Sequence, residues 1–301
     1  MTKATGQSRI SRRSTLTGTG AALIGGGFTG LLGAAPASAA TAAAESSRYE
    51  RGLAALRSTS GERGAAVIES LKDIAPDLGR FVVEFAYGDI YPRPGLSLRE
   101  RELVTVAALV AQGDTAPQQN FHIDAALHVG VEPTEIIEAL IHLVPFVGFP
   151  RALNAITVAR QVFADKGIAF KPSVQDDPRD RYRRGVAKLR EIDGRHGLEV
   201  IESLRDIAPD LGRFIVEFTF GDVYHRPWLS ARRRQLVTVS ALTALGDTAP
   251  QLRVHIGAAL NVGLSPAQIV ELLIHVVAYS GFPRALNGIT VARQVFEERS
   301  A

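Results

Sequence analysis

The stretch Gly148-Phe149-Pro150-Arg151-Ala152-Leu153-Asn154 returns letter for letter as residues 281–287, and the match extends far to either side of it. Residues 48–165 recur as residues 181–298 at a constant offset of 133 positions, with no insertion or deletion. Solenoid repeats have periods of about 20 to 50 residues, whereas a unit of roughly 100 residues is long enough for a domain with its own core. The sequence therefore predicts one domain present twice.

Hydrophobic periodicity predicts helices throughout both modules, and no alternating run is long enough to indicate a strand. The helix-start signals agree with this. Ser97 with Glu100 fits a capping box, Pro117 and Pro133 suit a first helical turn, and Ser265 is a good N-cap. The predicted fold class is all-α. In the first module we expect helices at residues 64–74, 77–90, 98–112, 116–129, 133–145 and 151–163.

Residues 1–40 match neither module and are typical of an export signal. Arg12 and Arg13 form a twin-arginine pattern, a Gly-rich apolar stretch follows, and Ala37-Ser38-Ala39 fits a cleavage site. The twin-arginine route carries folded proteins, so we expect the mature chain to work outside the cytoplasm, at the cell envelope or beyond it. The predicted domains are the signal at 1–40, a first module at 48–165, a linker at 166–180 and a second module at 181–298.

The positive charge of the chain comes from this signal. The chain has 34 Lys and Arg against 31 Asp and Glu. Residues 1–39 hold four of the basic residues and no acid, which leaves 30 basic against 31 acidic residues in the mature chain. A nearly neutral protein gives no reason to expect nucleic acid or a membrane surface as a partner. The run Arg232-Arg233-Arg234 is expected to be a solvated helix face.

Cysteine is absent from the sequence, which excludes disulfides, a thiol nucleophile and a thiolate metal site. His122, His128 and His142 invite a metal reading of the first module. None lies three or four positions from another, the spacing that places two ligands on one helical face, so no metal site is predicted. The sequence also lacks a Gly-rich phosphate loop or a dinucleotide fingerprint, and no cofactor is predicted.

His122 and its copy His255 are the main candidates for chemistry. Each shares a helical face with apolar residues three, four and seven positions later, so each imidazole is expected on the apolar side. One interpretation is a core histidine bonded to a backbone carbonyl; the other is a buried general acid or base. Both copies keep the residue while its flanks differ, which favours the second. Glu102 can hold His122 or be a surface carboxylate, and the second module has Gln235 in its place.

Four stretches of the first module, each with a copy in the second, carry a specific signature: residues 84–91 with Arg93-Pro94-Gly95-Leu96, residues 103–109, residues 122–130 and residues 148–152. Together they resemble the carboxymuconolactone decarboxylase family in both modules. The resemblance implies the all-helical fold of alkylhydroperoxidase D, present here as a tandem duplication. Alkylhydroperoxidase D reduces peroxides through a Cys-x-x-Cys pair, and a chain without cysteine cannot follow that mechanism.

The decarboxylase branch of the family is similar above all to the second module. The resemblance implies acid–base lyase or isomerase chemistry on a small cyclic compound that is carboxylated or enolisable. Arg253 would face the departing carboxylate or a lactone carbonyl, and His255 would protonate the carbon left behind. The catalytic set implied is His255, Arg253, His122 and Glu102. The substrate-binding set implied is Tyr279, Trp228, Asn261, His275 and His142, with Trp228 reshaping the wall where the first module has Gly95.

Three further expectations remain open at the level of sequence. A non-catalytic ligand-binding or assembly protein on the same fold is the alternative to an enzyme. A pocket where His255 and Arg253 converge would favour the enzyme, and a packed interior the alternative. The second module is expected to be the active one, since the first lacks the Arg and the Tyr. Single-module relatives commonly form hexamers, so we expect a trimer of two-module chains.

Overall fold

The structure is a computed structural model that describes residues 37–175 and 180–300. The twin-arginine pattern and residues 176–179 of the expected linker lie outside the described residues. Those ranges contain helices and no strand, which confirms the all-α fold class. The first module comprises α1 (Ala37–Ser60), α2 (Glu62–Glu69), α3 (Pro76–Phe81), a π-helix π1 (Val82–Ile90), α4 (Leu98–Gln112), α5 (Ala116–His128), α6 (Pro133–Val147) and α7 (Phe149–Asp165). The second comprises α8 (Arg181–Ile192), α9 (Gly194–Glu202), α10 (Pro209–Phe214), π2 (Ile215–Val223), α11 (Ala231–Leu245), α12 (Ala249–Asn261) and α13 (Pro266–Ser300).

The helix signals of the sequence are largely confirmed, with three differences, the first being that α1 has no counterpart among the expected helices. The capping box at Ser97 and Glu100 is present in both directions. Helix α2 stops at Glu69 instead of running to residue 74. Residues 70–74 form turns, in which Leu71 and Lys72 donate to carbonyls three residues earlier, and Pro76 keeps Ala75 out of the α conformation, at φ −147° and ψ 59°. The helix expected over 77–90 is α-helical only to Phe81 and continues as π1. Turns of π-helix are rare and occur frequently at functional sites.

The two modules pack as one body around a shared core. Helices α4 and α11 lie side by side, and the Ser240 hydroxyl of α11 donates to the Val104 carbonyl of α4 at 2.6 Å. Helix α13 packs on α4 and helix α6 packs on α11, so each module contributes a helix to the other. One buried cluster joins Leu103 and Leu140 of the first module to Val237 and Ala241 of the second. Side chains near this interface can therefore form sites that belong to both modules.

Helix α13 is the helix that brings the second module to the first. It is broken at Gly281, whose φ of 78° and ψ of 164° are not helical. Among the described helices, α13 alone is long and apolar enough to cross a membrane by length and composition. Leu272, Leu273 and Val276 on it are buried in the protein core. A helix of a protein core can have the same length and apolar composition as a membrane-spanning helix.

The run Arg232-Arg233-Arg234 is not a solvated face, and that expectation is wrong. Arg234 is 1% exposed, and its guanidinium donates to the Leu229 carbonyl at 3.0 Å. Its two neighbours form ion pairs with Glu100 and Glu135 of the first module. Periodicity within one helix cannot reveal these partners, because they belong to the opposite module.

Candidate active site

A chain of hydrogen bonds runs through the first module and ends on a side chain of the second. Glu102 of α4 has no exposed surface and accepts from Nδ1 of His122 on α5 at 2.9 Å. Its other carboxylate oxygen accepts from the Tyr91 hydroxyl at 2.7 Å, and the Tyr279 hydroxyl of α13 lies 2.6 Å from that of Tyr91. The Tyr91 proton is already engaged, so Tyr279 is the donor in this last bond. Four side chains from distant parts of the sequence form one network.

The network determines which nitrogen of His122 is free. A carboxylate oxygen only accepts, so Nδ1 carries a proton, and in the neutral form of the ring the lone pair is on Nε2. None of the described residues is a hydrogen-bond partner of Nε2. His122 lines a cavity of about 370 Å³, and the Tyr279 ring meets it edge-on at 5.1 Å between centroids. A base held by a carboxylate thus lies in the wall of a cavity of small-molecule size.

The same positions of the second module form a weaker network. The Oε1 atom of Gln235 accepts from Nδ1 of His255 at 3.2 Å, and its Nε2 donates to the Tyr224 hydroxyl at 2.9 Å. Phe146, from α6 of the first module, packs edge-on against His255 at 5.1 Å, where the first site has a tyrosine. The second site therefore has an amide in place of the carboxylate and a phenyl ring in place of the phenol.

This difference separates the two histidines electrostatically. Burial lowers the pKa of His255 to about 4, because no negative group compensates the desolvation of its imidazolium. His255 is therefore neutral at pH 7. The carboxylate of Glu102 gives His122 a negative partner that stabilises an imidazolium formed when Nε2 takes a proton. Of the two, the histidine of the first module has the environment that acid–base work requires.

His142 and His275 link the two modules and do not line the cavity. His275 of the second module bonds through Nε2 to the Thr105 hydroxyl of the first at 2.8 Å. His142 of the first module makes the equivalent 2.8 Å bond to Thr238 of the second. Burial, and then a nearby buried arginine, holds the pKa of each imidazole well below its usual range. Both are neutral hydrogen-bonding groups in the interface, and the His275 ring also packs on Tyr91 at 4.9 Å.

Three residues that the sequence assigned to a site around His255 contact other groups in the structure. Arg253 is paired with Glu298 on the surface, so it does not converge with His255 in a pocket as expected. The reason is helical geometry, since positions two apart point to different faces. Trp228 lies under the Arg226 guanidinium at 4.9 Å. Asn261 donates to the Ile192 carbonyl at 2.9 Å.

Tyr279 belongs to the other site, which corrects its expected pairing with His255. Its hydroxyl and ring contact Tyr91 and His122 of the first module. Burial, and then the Glu102 carboxylate, raises the pKa of Tyr279, which keeps the phenol protonated as a donor. The catalytic and binding roles assigned from the sequence stay predictions.

Sequence reasoning missed two polar groups. Tyr91 lies within the stretch 84–91 that carries the family resemblance, but nothing in that stretch indicates that its hydroxyl bonds to Glu102. No sequence pattern points to the second group, Asp193. It follows α8 and is 7% exposed, and its Oδ1 has no hydrogen-bond partner among the described residues. Burial raises the pKa of Asp193 to about 7. The first module has Ser60 in this position, with its hydroxyl bonded to the Leu56 carbonyl at 2.9 Å.

Comparison with known proteins agrees with this architecture. The family model "Carboxymuconolactone decarboxylase family" matches residues 76–161 and again residues 209–294. The 4-carboxymuconolactone decarboxylase of Acinetobacter baylyi is 34% identical over 119 residues, which are 39% of this chain and 88% of that protein. The nitrosuccinic acid decarboxylase npaB of Metarhizium robertsii is 30% identical over 94 residues, 30% of this chain and 65% of that protein.

A solved structure shows the same fold. It is a Burkholderia xenovorans protein assigned as a gamma-carboxymuconolactone decarboxylase subunit, with a TM-score of 0.52 and 23% sequence identity. The match covers 85% of this chain and 98% of the other, so the fold extends across both modules. With two family domains in tandem, and with relatives named decarboxylases, the chain belongs to the carboxymuconolactone decarboxylase family.

Proposed function

We propose that this chain is an exported acid–base enzyme of its family, active in the first module, with His122 as the group that moves the proton. Its substrate is a small cyclic compound that is carboxylated or enolisable, and its reaction is of the lyase or isomerase class. The observation that carries the proposal is the Glu102–His122 pair at 2.9 Å in the wall of a cavity of about 370 Å³. This preference reverses the assignment expected from sequence, which favoured the second module.

Each side chain has a role in this proposal. Nε2 of His122 takes a proton from a carbon next to a carbonyl, and the electrons of the C–H bond form an enolate. The imidazolium then returns the proton to another carbon, which completes an isomerisation. If the substrate loses carbon dioxide instead, the C–C bond electrons stay on the remaining carbon, and His122 must enter the reaction as an imidazolium protonated from solvent, which then gives its Nε2 proton to that carbon. Glu102 stabilises the charge on the ring, and Tyr91 with Tyr279 holds Glu102 in place.

The second module serves mainly as a structural partner in this proposal. It supplies Tyr279 and His275 to the first module, while its own site has Gln235 and Phe146. An amide does not exchange protons near neutral pH, so His255 works without a titratable partner. The export signal at Arg12-Arg13, taken from the sequence, and assembly into a trimer of two-module chains, expected from the family resemblance, are further parts of the proposal.

The duplication offers a matched control for a test. His122→Asn is expected to lower turnover about 100-fold to 10,000-fold, the usual contribution of a general acid or base, and His255→Asn to leave it nearly unchanged. Glu102→Gln, which gives the first site the amide of the second, should lower turnover without changing the circular dichroism spectrum. Activity would be screened against unsaturated lactone acids and cyclic enones by ultraviolet absorbance. Full activity in His122→Asn, or loss only in His255→Asn, would refute the proposal.

A further inference from the structure

We infer that the first-module cavity binds an uncharged cyclic carbonyl compound in preference to a substrate that carries a free carboxylate. The inference rests on the proposed function, because it concerns the substrate of the same site. It is carried by the chemistry of the cavity wall, by the charge behind His122 and by the state of the arginine beside the cavity.

The wall of the cavity offers no positive charge. None of the described residues that line it is Lys or Arg. Most of the wall is aliphatic or aromatic, including Leu56, Ile68, Val82 and Phe121. Moving a carboxylate from water into such surroundings without a hydrogen-bonded counter-charge is strongly unfavourable. An uncharged ring has no such penalty and gains from burial of its apolar surface.

The charge nearest to the reacting nitrogen has the wrong sign for an anion. Glu102 is fully buried directly behind His122, and the tyrosines that bond to it bring no positive charge. A second carboxylate in the cavity would be repelled by Glu102 through a medium of low dielectric constant. In a site built to hold a carboxylate, the cation would have to outweigh this repulsion.

Arg63 is the cation that lies beside the cavity, and it is already engaged. Its guanidinium lies 5.9 Å from the Phe121 ring centroid, forms a 3.3 Å ion pair with Asp124 and donates to Asn120 at 2.8 Å. Asp124 is 6% exposed, so drawing Arg63 into the cavity would cost that buried carboxylate one of its partners. Arg63 therefore binds side chains on the surface of α5 and supplies no positive charge to the cavity.

The polar groups that remain suit a single carbonyl compound. His122 and Tyr279 are adjacent in the wall, with ring centroids 5.1 Å apart; Tyr87 also lines the wall, and Gln118 lies at its edge. These groups can hydrogen-bond to one oxygen of a bound ring and take a proton from one acidic carbon, while the rest of the ring packs on apolar side chains. An uncharged ketone or lactone has no carboxylate to release, so the reaction at this site is a proton shift through an enolate. His122 takes the proton from one carbon and returns it to another.

Binding is measured directly by calorimetric titration, separately from turnover, with two probes that share a ring and differ in charge. They are methyl 4-oxocyclohexanecarboxylate and the free 4-oxocyclohexanecarboxylate. The full chain is expected to bind the ester at least about tenfold more tightly than the acid at pH 7.5. Equal or tighter binding of the acid, or no binding of either probe at millimolar concentration, would overturn the inference.

Matched variants locate the binding and test its cause. Val67→Trp at the edge of the cavity should weaken ester binding about tenfold, whereas Val200→Trp at the duplicate position should not; both valines are exposed, at 44% and 40%. Gln118→Arg supplies the missing cation and should strengthen binding of the acid about tenfold, with Gln251→Arg as control. An unchanged ester titration in Val67→Trp, or no gain for the acid in Gln118→Arg, would contradict the inference. If His122→Asn keeps full turnover, the proposed function fails while these titrations still decide the charge preference.

Discussion

Replacing the buried carboxyl Asp193 by Asn should make the protein more stable at and above neutral pH. The side chain is 7% exposed, and Oδ1 has no hydrogen-bond partner in the described part of the chain. Desolvation raises the pKa of Asp193 from 3.8 to about 7 in the folded protein. Burial alone causes this shift, and no Lys or Arg in the described part of the chain forms an ion pair with Asp193, so ionising the carboxyl destabilises the folded state.

The magnitude and the sign follow from this shift. At about 1.36 kcal/mol per pKa unit, a change from 3.8 to about 7 is worth roughly 4 kcal/mol. Between these two pH values the folded state holds a proton on Asp193 that the unfolded state has released. The free energy of unfolding therefore falls as the pH rises from about 4 to about 7, and the loss is complete above that range.

His255 produces the opposite trend in an overlapping range. Its pKa falls from 6.5 to about 4 on folding, so its contribution to stability is complete above pH 6.5 and is lost as the pH falls toward 4. The two effects partly cancel in the wild-type protein. The difference between the wild-type curve and the Asp193→Asn curve isolates the carboxyl, because the histidine is common to both.

The assay is urea unfolding followed by circular dichroism at several pH values between 5 and about 9. The advantage of Asp193→Asn over wild type should grow by about 3 kcal/mol from pH 5 to pH 8, which is the part of the shift that lies in this window. Asp193→Ser, which copies Ser60 of the first module, should show the same pH dependence and can regain the bond to a backbone carbonyl. A difference that does not change with pH would refute the reasoning.

Three further predictions concern the site, the assembly and the export of the chain. Tyr279→Phe removes the donor to Tyr91 and should lower turnover about fivefold, as expected for loss of one hydrogen bond of about 1 kcal/mol; Phe146→Tyr, at the equivalent position beside His255, should leave the rate unchanged, and the reverse result would contradict the assignment. Light scattering should give the mass of three chains, and Phe149→Ser combined with Phe282→Ser, at two side chains that are each 59% exposed, should lower it; a monomeric wild type would rule out the trimer. Lys at both Arg12 and Arg13 should retain the protein inside the cell in a fractionation experiment, and unchanged export would exclude the twin-arginine route.

Much of the fold was accessible from the sequence because its signals are local. The duplication, the helical periodicity and the capping box at Ser97 each depend on residues close together in the chain, and each is present in the structure. The same reasoning failed at residues 70–74, which form turns where a helix was expected, and at Arg234, which is buried against backbone carbonyls of the loop before its helix and against Glu138 of the first module. The burial of His122 and His255 on the apolar side of their helices is also confirmed.

The composition of the candidate site depended on the tertiary structure. Counting by 133 positions pairs Tyr279 with Phe146 and assigns it to the second module, next to His255. In the folded chain α13 crosses to α4, so Tyr279 meets Tyr91 and His122 of the first module. A repeat specifies which residues are equivalent, but not which copy each one contacts. That choice is made by the packing of α4 against α11, where the two modules share one hydrophobic core.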